Sequence, residues 1–197
     1  MSLEIKCYPG GLYGENTYLI TDEATGFKAI IDPGYFDLEV RMDIQNNAYL
    51  KYILLTHGHH DHFLAAQQYL DEYTAVRFAA PEKEIPLIKS GIHRCPEPGY
   101  LLKEGDVITL GETELRVIET PGHTAGGICF ATDREVFTGD TLFRLSVGRT
   151  DLPTGDWFTL LHSINDKLYT LPEDMIVYPG HGEPTTIGYE KRANPFV

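Results

Sequence analysis

At 197 residues, with 42% hydrophobic and 11% aromatic side chains, the chain has the length and composition of one globular domain burying roughly 70% of its unfolded surface, so no metal is needed merely to fold it. A formal charge of −13 argues against a surface built for a polyanion, because nucleic-acid affinity depends on Lys and Arg neutralising phosphates, and it points to a small-molecule substrate. The longest apolar runs fall well short of 18 residues, which excludes a membrane-spanning helix.

The opening residues, Met1-Ser2-Leu3-Glu4-Ile5-Lys6, lack the basic region and apolar run of a signal peptide, so a cytoplasmic location is expected. Residues 3–8, 16–22 and 27–32 read as antiparallel strands rich in Tyr, Ile and Leu, separated by Pro9-Gly10-Gly11 and Thr25-Gly26. The third ends at Asp32-Pro33-Gly34, after which Leu38, Met42 and Ile44 fall at roughly helical spacing. A strand over 51–56 follows, then a helix from Phe63 to Tyr73 in good helix formers, a short strand from Arg77 to Ala80 and a weaker helix near Glu82 to Ile88. Beyond a loop through His93, Pro96, Pro98 and Gly99 come strands at Val107–Leu110, Leu115–Thr120, Gly127–Thr132 and Glu135–Thr138. A helix from Trp157 to Tyr169 and a strand from Met175 to Tyr178 complete the pattern.

Strands mixed with helices, repeated once in each half without a linker, fit an α+β domain of two packed sheets with helices outside, spanning residues 1–197 as a unit. Cys7, Cys95 and Cys129 are odd in number and far apart, so they read as reduced thiols and not as a disulfide framework or a thiolate site.

Chemistry concentrates at the end of the 51–56 strand, in Thr56-His57-Gly58-His59-His60-Asp61-His62. Imidazoles are costly to bury unpaired, and protonated rings side by side repel, so a shared cation is the simplest way to satisfy the cluster. Nitrogen ligands with one carboxylate suit zinc, and also iron or manganese. A solvated His-rich tag would sit at a terminus, whereas this run follows a strand in mid-chain. Three more ligand-type residues follow strands through Gly-containing turns: His123 after Pro121-Gly122, Asp140 after Thr138-Gly139, and His181 after Pro179-Gly180. With His57, His59, Asp61 and His62 they make seven, too many for one tetrahedral zinc and about right for two metals sharing a carboxylate.

These pieces, namely residues 56–62, Pro121-Gly122-His123-Thr124, the run from Phe137 through Asp140 to Phe143, and Pro179-Gly180-His181-Gly182, resemble the motifs of the metallo-β-lactamase superfamily in order and extent. The resemblance implies a four-layer αββα sandwich with two divalent cations in a cleft at one edge, zinc first among the choices. His57, His59 and His123 would hold the first metal, Asp61, His62 and His181 the second, and Asp140 would bridge. Asp32, ending a strand in the family's Asp-Pro-Gly turn, would orient a ligand imidazole. His60 fills the variable position of the motif, and His93 and His162 match no family ligand. Two such cations acidify a water into a nucleophile and polarise a carbonyl, with Asp61 as the catalytic carboxylate that steers the water's proton.

The segment from Gly139 to Asp151 resembles the glyoxalase II-like branch, hydroxyacylglutathione hydrolases acting on the thioester S-lactoylglutathione. By that resemblance Arg149 would bind a glutathione carboxylate. Full-length members carry a C-terminal helical domain, whereas 16 residues follow His181 here, and Glu183 stands where those enzymes have a glutathione-contacting tyrosine. The match is thus to the compact bacterial type, without a separate helical glutathione domain, working as a monomer or small homo-oligomer on a small substrate. The alternative is a persulfide dioxygenase of the same fold, with a single iron on His57, His123 and Asp140. Nucleic-acid processing is disfavoured by the charge, and a periplasmic β-lactamase role by the opening residues.

Overall fold

The computed structural model describes residues 2–44 and 49–197. The first sheet is built in chain order from β1 (Leu3–Gly10), β2 (Glu15–Asp22), β3 (Lys28–Ile31), β4 (Leu50–Leu54), β5 (Arg77–Pro81) and β6 (Tyr100–Leu102), with α1 (Leu38–Ile44), α2 (Ala66–Glu72) and α3 (Ile85–Ser90) between its later strands. Its first three strands run antiparallel and the next three join in parallel, which requires the helical crossovers. The second half adds β7 (Val107–Leu110), β8 (Thr113–Glu119), β9 (Ile128–Ala131), β10 (Glu135–Gly139), the small hairpin β11 (Leu142–Phe143) and β12 (Ser146–Val147), α4 (Trp157–Asp166), β13 (Ile176–Pro179), β14 (Thr185–Thr186) and α5 (Ile187–Ala193). Its sheet runs β14-β13-β10-β9-β8-β7, with β10 and β13 parallel and the other pairs antiparallel.

Three apolar layers hold the expected αββα sandwich together. Strand alternation sends Leu19, Ile30 and Ile53 towards α1 and α2, where they pack with Ile44, Phe63 and Tyr69. Their neighbours Tyr18, Ile20, Ile31 and Leu54 point the other way, against Leu115, Val117, Phe130 and Phe137 of the second sheet. Beyond that sheet, Val136 and Val177 pack with Leu160, Ile164 and Ile187 of α4 and α5. Strands buried on both faces read as continuous apolar runs, which is the pattern of β9 and of Ala29, Ile30 and Ile31 in β3.

The expected elements are present, with shifted edges. The helix read from Phe63 starts only at Ala66, because the Ala65 N–H bonds the carbonyl of Pro33 at 3.0 Å and not a preceding turn. In α1 the residues facing the core are Val40 and Ile44, whereas Leu38 and Met42, two of the three that set the helical spacing, are exposed. The helix near Glu82 divides into a 3-10 turn at Glu82–Glu84 and α3, and the one from Trp157 stops at Asp166 before another 3-10 turn at Leu168–Thr170. Strands β6, β11, β12 and β14 and helix α5 have no counterpart in the sequence reading. Among the described residues no helix is long and apolar enough to cross a membrane.

Candidate metal centre

The ligand-type side chains gather where β4, β8, β10 and β13 end, along one edge of the sandwich. Leaving β4, the chain passes through buried Leu55 and Thr56, and the Thr56 carbonyl accepts the Ile128 N–H at 2.9 Å, pinning the two sheets at the site. Thr56 in turn donates its N–H to Asp32 Oδ1 at 2.8 Å and its hydroxyl to Asp32 Oδ2 at 2.6 Å. With its proton committed, that hydroxyl can only accept from His57 Nδ1, 3.0 Å away.

The same logic sets two other imidazoles. Nδ1 of His62 lies 2.9 Å from Asp32 Oδ2, and Nδ1 of His123 lies 2.7 Å from the main-chain carbonyl of Arg149. Each acceptor takes up the Nδ1 side of its ring and leaves Nε2 as the nitrogen turned inward.

His57, His59 and His123 form one group in which the candidate ligand atoms all lie within 4.8 Å of one another, and Asp61, His62 and His181 form another. Asp32 with His57 and His62 satisfies the same criterion. Asp140 stands between the first two groups, with Oδ1 3.4 Å from His62 Nε2 and Oδ2 3.4 Å from His123 Nε2 and 3.6 Å from His181 Nε2. Asp61 Oδ2 is 3.6 Å from His181 Nε2 and 3.7 Å from His62 Nε2. All seven predicted ligand residues and Asp32 are therefore brought together.

The donor set fits cations. Nε2 of His57, Nε2 of His62 and Oδ1 of Asp140 are buried without a hydrogen-bond partner, and such atoms cost about 1–3 kcal/mol each unless something satisfies them. Between His59 Nδ1 and His123 Nε2, 2.8 Å apart, two ring nitrogens face each other. Burial and the neighbouring imidazoles push His57 well below its ordinary pKa, and burial and His123 bring His59 down to about 4, so both present lone pairs at neutral pH. Burial would raise Asp61, but contact with His181 and the charge of His62 hold its carboxyl well below the usual carboxylate range.

Two of the turns are close fits. A Cβ at Gly180 would lie 2.3 Å from Asp140 Oδ1, and one at Gly139, where φ is +47°, would lie 2.4 Å from Thr56 Oγ1. Asn16 anchors the His181 turn: its N–H donates to the Gly180 carbonyl at 2.7 Å, and its side-chain amide donates to the carbonyls of Pro179 at 3.0 Å and Gly182 at 2.8 Å. Nothing in the sequence reading marks Asn16, a polar residue within a strand.

A cleft of about 800 Å³ opens onto His59, Asp61, His123, Asp140 and His181. Arg149 lines it, exposed, with Nε and Nη2 2.7 and 2.6 Å from the two carboxylate oxygens of Asp151. His60 and His93, outside the seven, stack at 4.6 Å on the cleft wall with Tyr13 edge-on to His60, whereas His162 is exposed on α4.

Residues 10–181 match the profile of the Metallo-beta-lactamase superfamily. The hydroxyacylglutathione hydrolase GloC of Haemophilus influenzae is 36% identical, with 99% of this chain and 98% of that protein covered. The crystal structure of the BLEG-1 B3 metallo-beta-lactamase superposes with a TM-score of 0.88 at 32% identity, over 98% of this chain and 99% of that one. That of TTHA1623 in a di-iron-bound form does so with a TM-score of 0.85 at 33% identity, over 98% and 100%. With its four motif turns meeting at one edge of a two-sheet sandwich, the chain belongs to the metallo-β-lactamase superfamily.

Proposed function

We propose that the chain is a hydrolase that holds two divalent cations, zinc first among the candidates, and cleaves thioesters of the hydroxyacylglutathione kind. The observation carrying this reading is the position of Asp140 between two ligand groups, each with one buried inward nitrogen, Nε2 of His57 in the first and Nε2 of His62 in the second, that has no hydrogen-bond partner. His57, His59 and His123 would hold one cation, Asp61, His62 and His181 the other, and Asp140 both. When bound, such a pair supplies Lewis acidity and an acidified water at neutral pH.

The chain's own groups do the rest. Asp32 and Thr56 hold the His57 and His62 rings in one tautomer, and the Arg149 carbonyl does so for His123. Asp61, kept ionised, would steer a proton of the water that such a pair acidifies. Ile88, Phe143 and Leu152 line the cleft beside these groups and offer apolar surface to a bound thioester. Arg149 offers a guanidinium to a substrate carboxylate in exchange for Asp151. The likeness to a GloC protein over nearly the whole length supports the thioester class.

The test is hydrolysis of S-lactoylglutathione by the zinc-loaded protein. His59→Ala and Asp140→Ala are expected to lower kcat at least a hundredfold while circular dichroism stays native, and unchanged turnover in either overturns the reading. A single bound iron with oxygen uptake on glutathione persulfide would move the assignment to a dioxygenase.

A further inference from the structure

A carboxylate outside the seven ligand residues joins two of the ligand turns. Glu84 closes the 3-10 turn between β5 and α3 and is 1% exposed. Its oxygens go to different loops: Oε2 accepts the backbone N–H of Gly58 and Oε1 that of Gly126, both at 2.6 Å. Gly58 lies between His57 and His59, and Gly126 follows His123 by three residues.

Both turns are shaped for this contact. A Cβ on Gly58 would come within 2.9 Å of Glu84 Oε2 and 3.0 Å of Ile88 Cγ1, and one on Gly126 within 2.6 Å of Lys83 Cβ. The carboxylate is not there for an ion pair, since the adjacent cations are engaged elsewhere, Lys83 with Glu119 and Lys103 with Glu82. Burying a carboxylate carries a desolvation cost, and an apolar side chain in its place would leave the Gly58 and Gly126 N–H groups without an acceptor. What the carboxylate uniquely supplies is two acceptors at a fixed spacing between two loops.

We propose that Glu84 is the positioning residue that makes His57, His59 and His123 one metal site, governing how tightly that group retains a cation while leaving the Asp61, His62 and His181 group unaffected. The inference rests on the metal-centre reading above. The second group has separate supports: Asp32 holds His62, and Asn16 with the Gly139 carbonyl holds the His181 turn.

The experiment is titration of chelator-stripped protein with cobalt(II) and with zinc, comparing wild type, Glu84→Gln and Glu84→Ala. Wild type should take up two equivalents. Glu84→Ala should bind one with unchanged affinity and the other at least tenfold more weakly, as expected when a group orienting ligands is lost. Glu84→Gln, with one acceptor oxygen for two N–H groups, should fall between. In the metal-free state, hydrogen exchange at the Gly58 and Gly126 amides should accelerate at least tenfold in Glu84→Gln while the Gly180 amide stays unchanged.

Two tightly bound equivalents in both variants, or equal weakening of both equivalents with collapse of the melting transition, overturns the proposal. Wild-type protein that binds no metal overturns the metal-centre reading instead, and the exchange measurement then still reports whether the carboxylate holds the two loops.

Discussion

Asp32 and His62 face each other fully inside the protein, Oδ2 to Nδ1 at 2.9 Å, from the end of the third strand and from the 3-10 turn after the fourth. Asp32 adopts φ +52°, a left-handed conformation that Asp tolerates better than most residues and that turns its carboxylate towards Thr56 as well. A single acid thereby sets both the His62 ring and the path of the chain into His57.

Asp32→Asn tests that arrangement, because Asn keeps the shape and tolerates the backbone while removing charge and one acceptor. Zinc affinity of the Asp61, His62 and His181 group should fall about ten- to a hundredfold in competition with a chromophoric chelator. The fold should persist by circular dichroism. Affinity within twofold of wild type would show that the carboxylate does not orient the ring.

How far the sequence could be read depended on where the determining contacts lie. The His-rich turn and the residues after Gly122, Gly139 and Gly180 stand out because side chains of rare chemistry follow apolar strands, and those turns do meet in space. The start of α2 was hidden because the carbonyl that redirects it, Pro33, is distant in sequence. Strand β6 has three residues and β14 two, and each exists through its neighbour rather than its own pattern. Glu84 was invisible for a different reason: in Glu82-Lys83-Glu84 it looks like an exposed charge, and only the approach of Gly58 and Gly126 reveals it as buried.

Stability should depend on Asp22 in a pH-dependent way independent of the metal centre. Its Oδ1 accepts from the Thr25 N–H and hydroxyl at 2.9 and 2.6 Å, and its Oδ2 from the Thr113 hydroxyl at 2.8 Å, which joins the two sheets. Burial pushes this carboxyl up, but the hydrogen bonds from Thr25 and Thr113 more than reverse it and leave it below its ordinary value. A lowered folded-state pKa stabilises above the unfolded value, and that contribution is lost as pH falls through the folded one. Wild type should exceed Asp22→Ala by about 2 kcal/mol in urea denaturation near pH 7, with the gap narrowing below about pH 4. A gap that widens on acidification would contradict the argument.

Arg149 has two separable parts, a carbonyl that accepts from His123 and a side chain on the cleft wall paired with Asp151. Arg149→Ala keeps the first and removes the second, so zinc content should be unchanged. KM for S-lactoylglutathione should rise about fivefold or more, whereas turnover of a small neutral ester such as phenyl acetate should move less than twofold. Equal effects on both substrates would remove the carboxylate-binding role.

Gly180 and Gly182 flank His181 and make a matched pair. A methyl on Gly180 would press to 2.3 Å from Asp140 Oδ1 and 2.9 Å from His62 Cε1, whereas one on Gly182 meets no atom within 4 Å but must adopt φ +77°. Overpacking and backbone strain cost similar amounts, about 1–2 kcal/mol, so Gly180→Ala and Gly182→Ala should melt at similar temperatures. Only the first displaces the carboxylate between the two ligand groups. Metal analysis should therefore find at least one equivalent missing in Gly180→Ala and both retained in Gly182→Ala. Two equivalents in Gly180→Ala would mean that Asp140 can leave its place without cost, which a shared bridging ligand could not do.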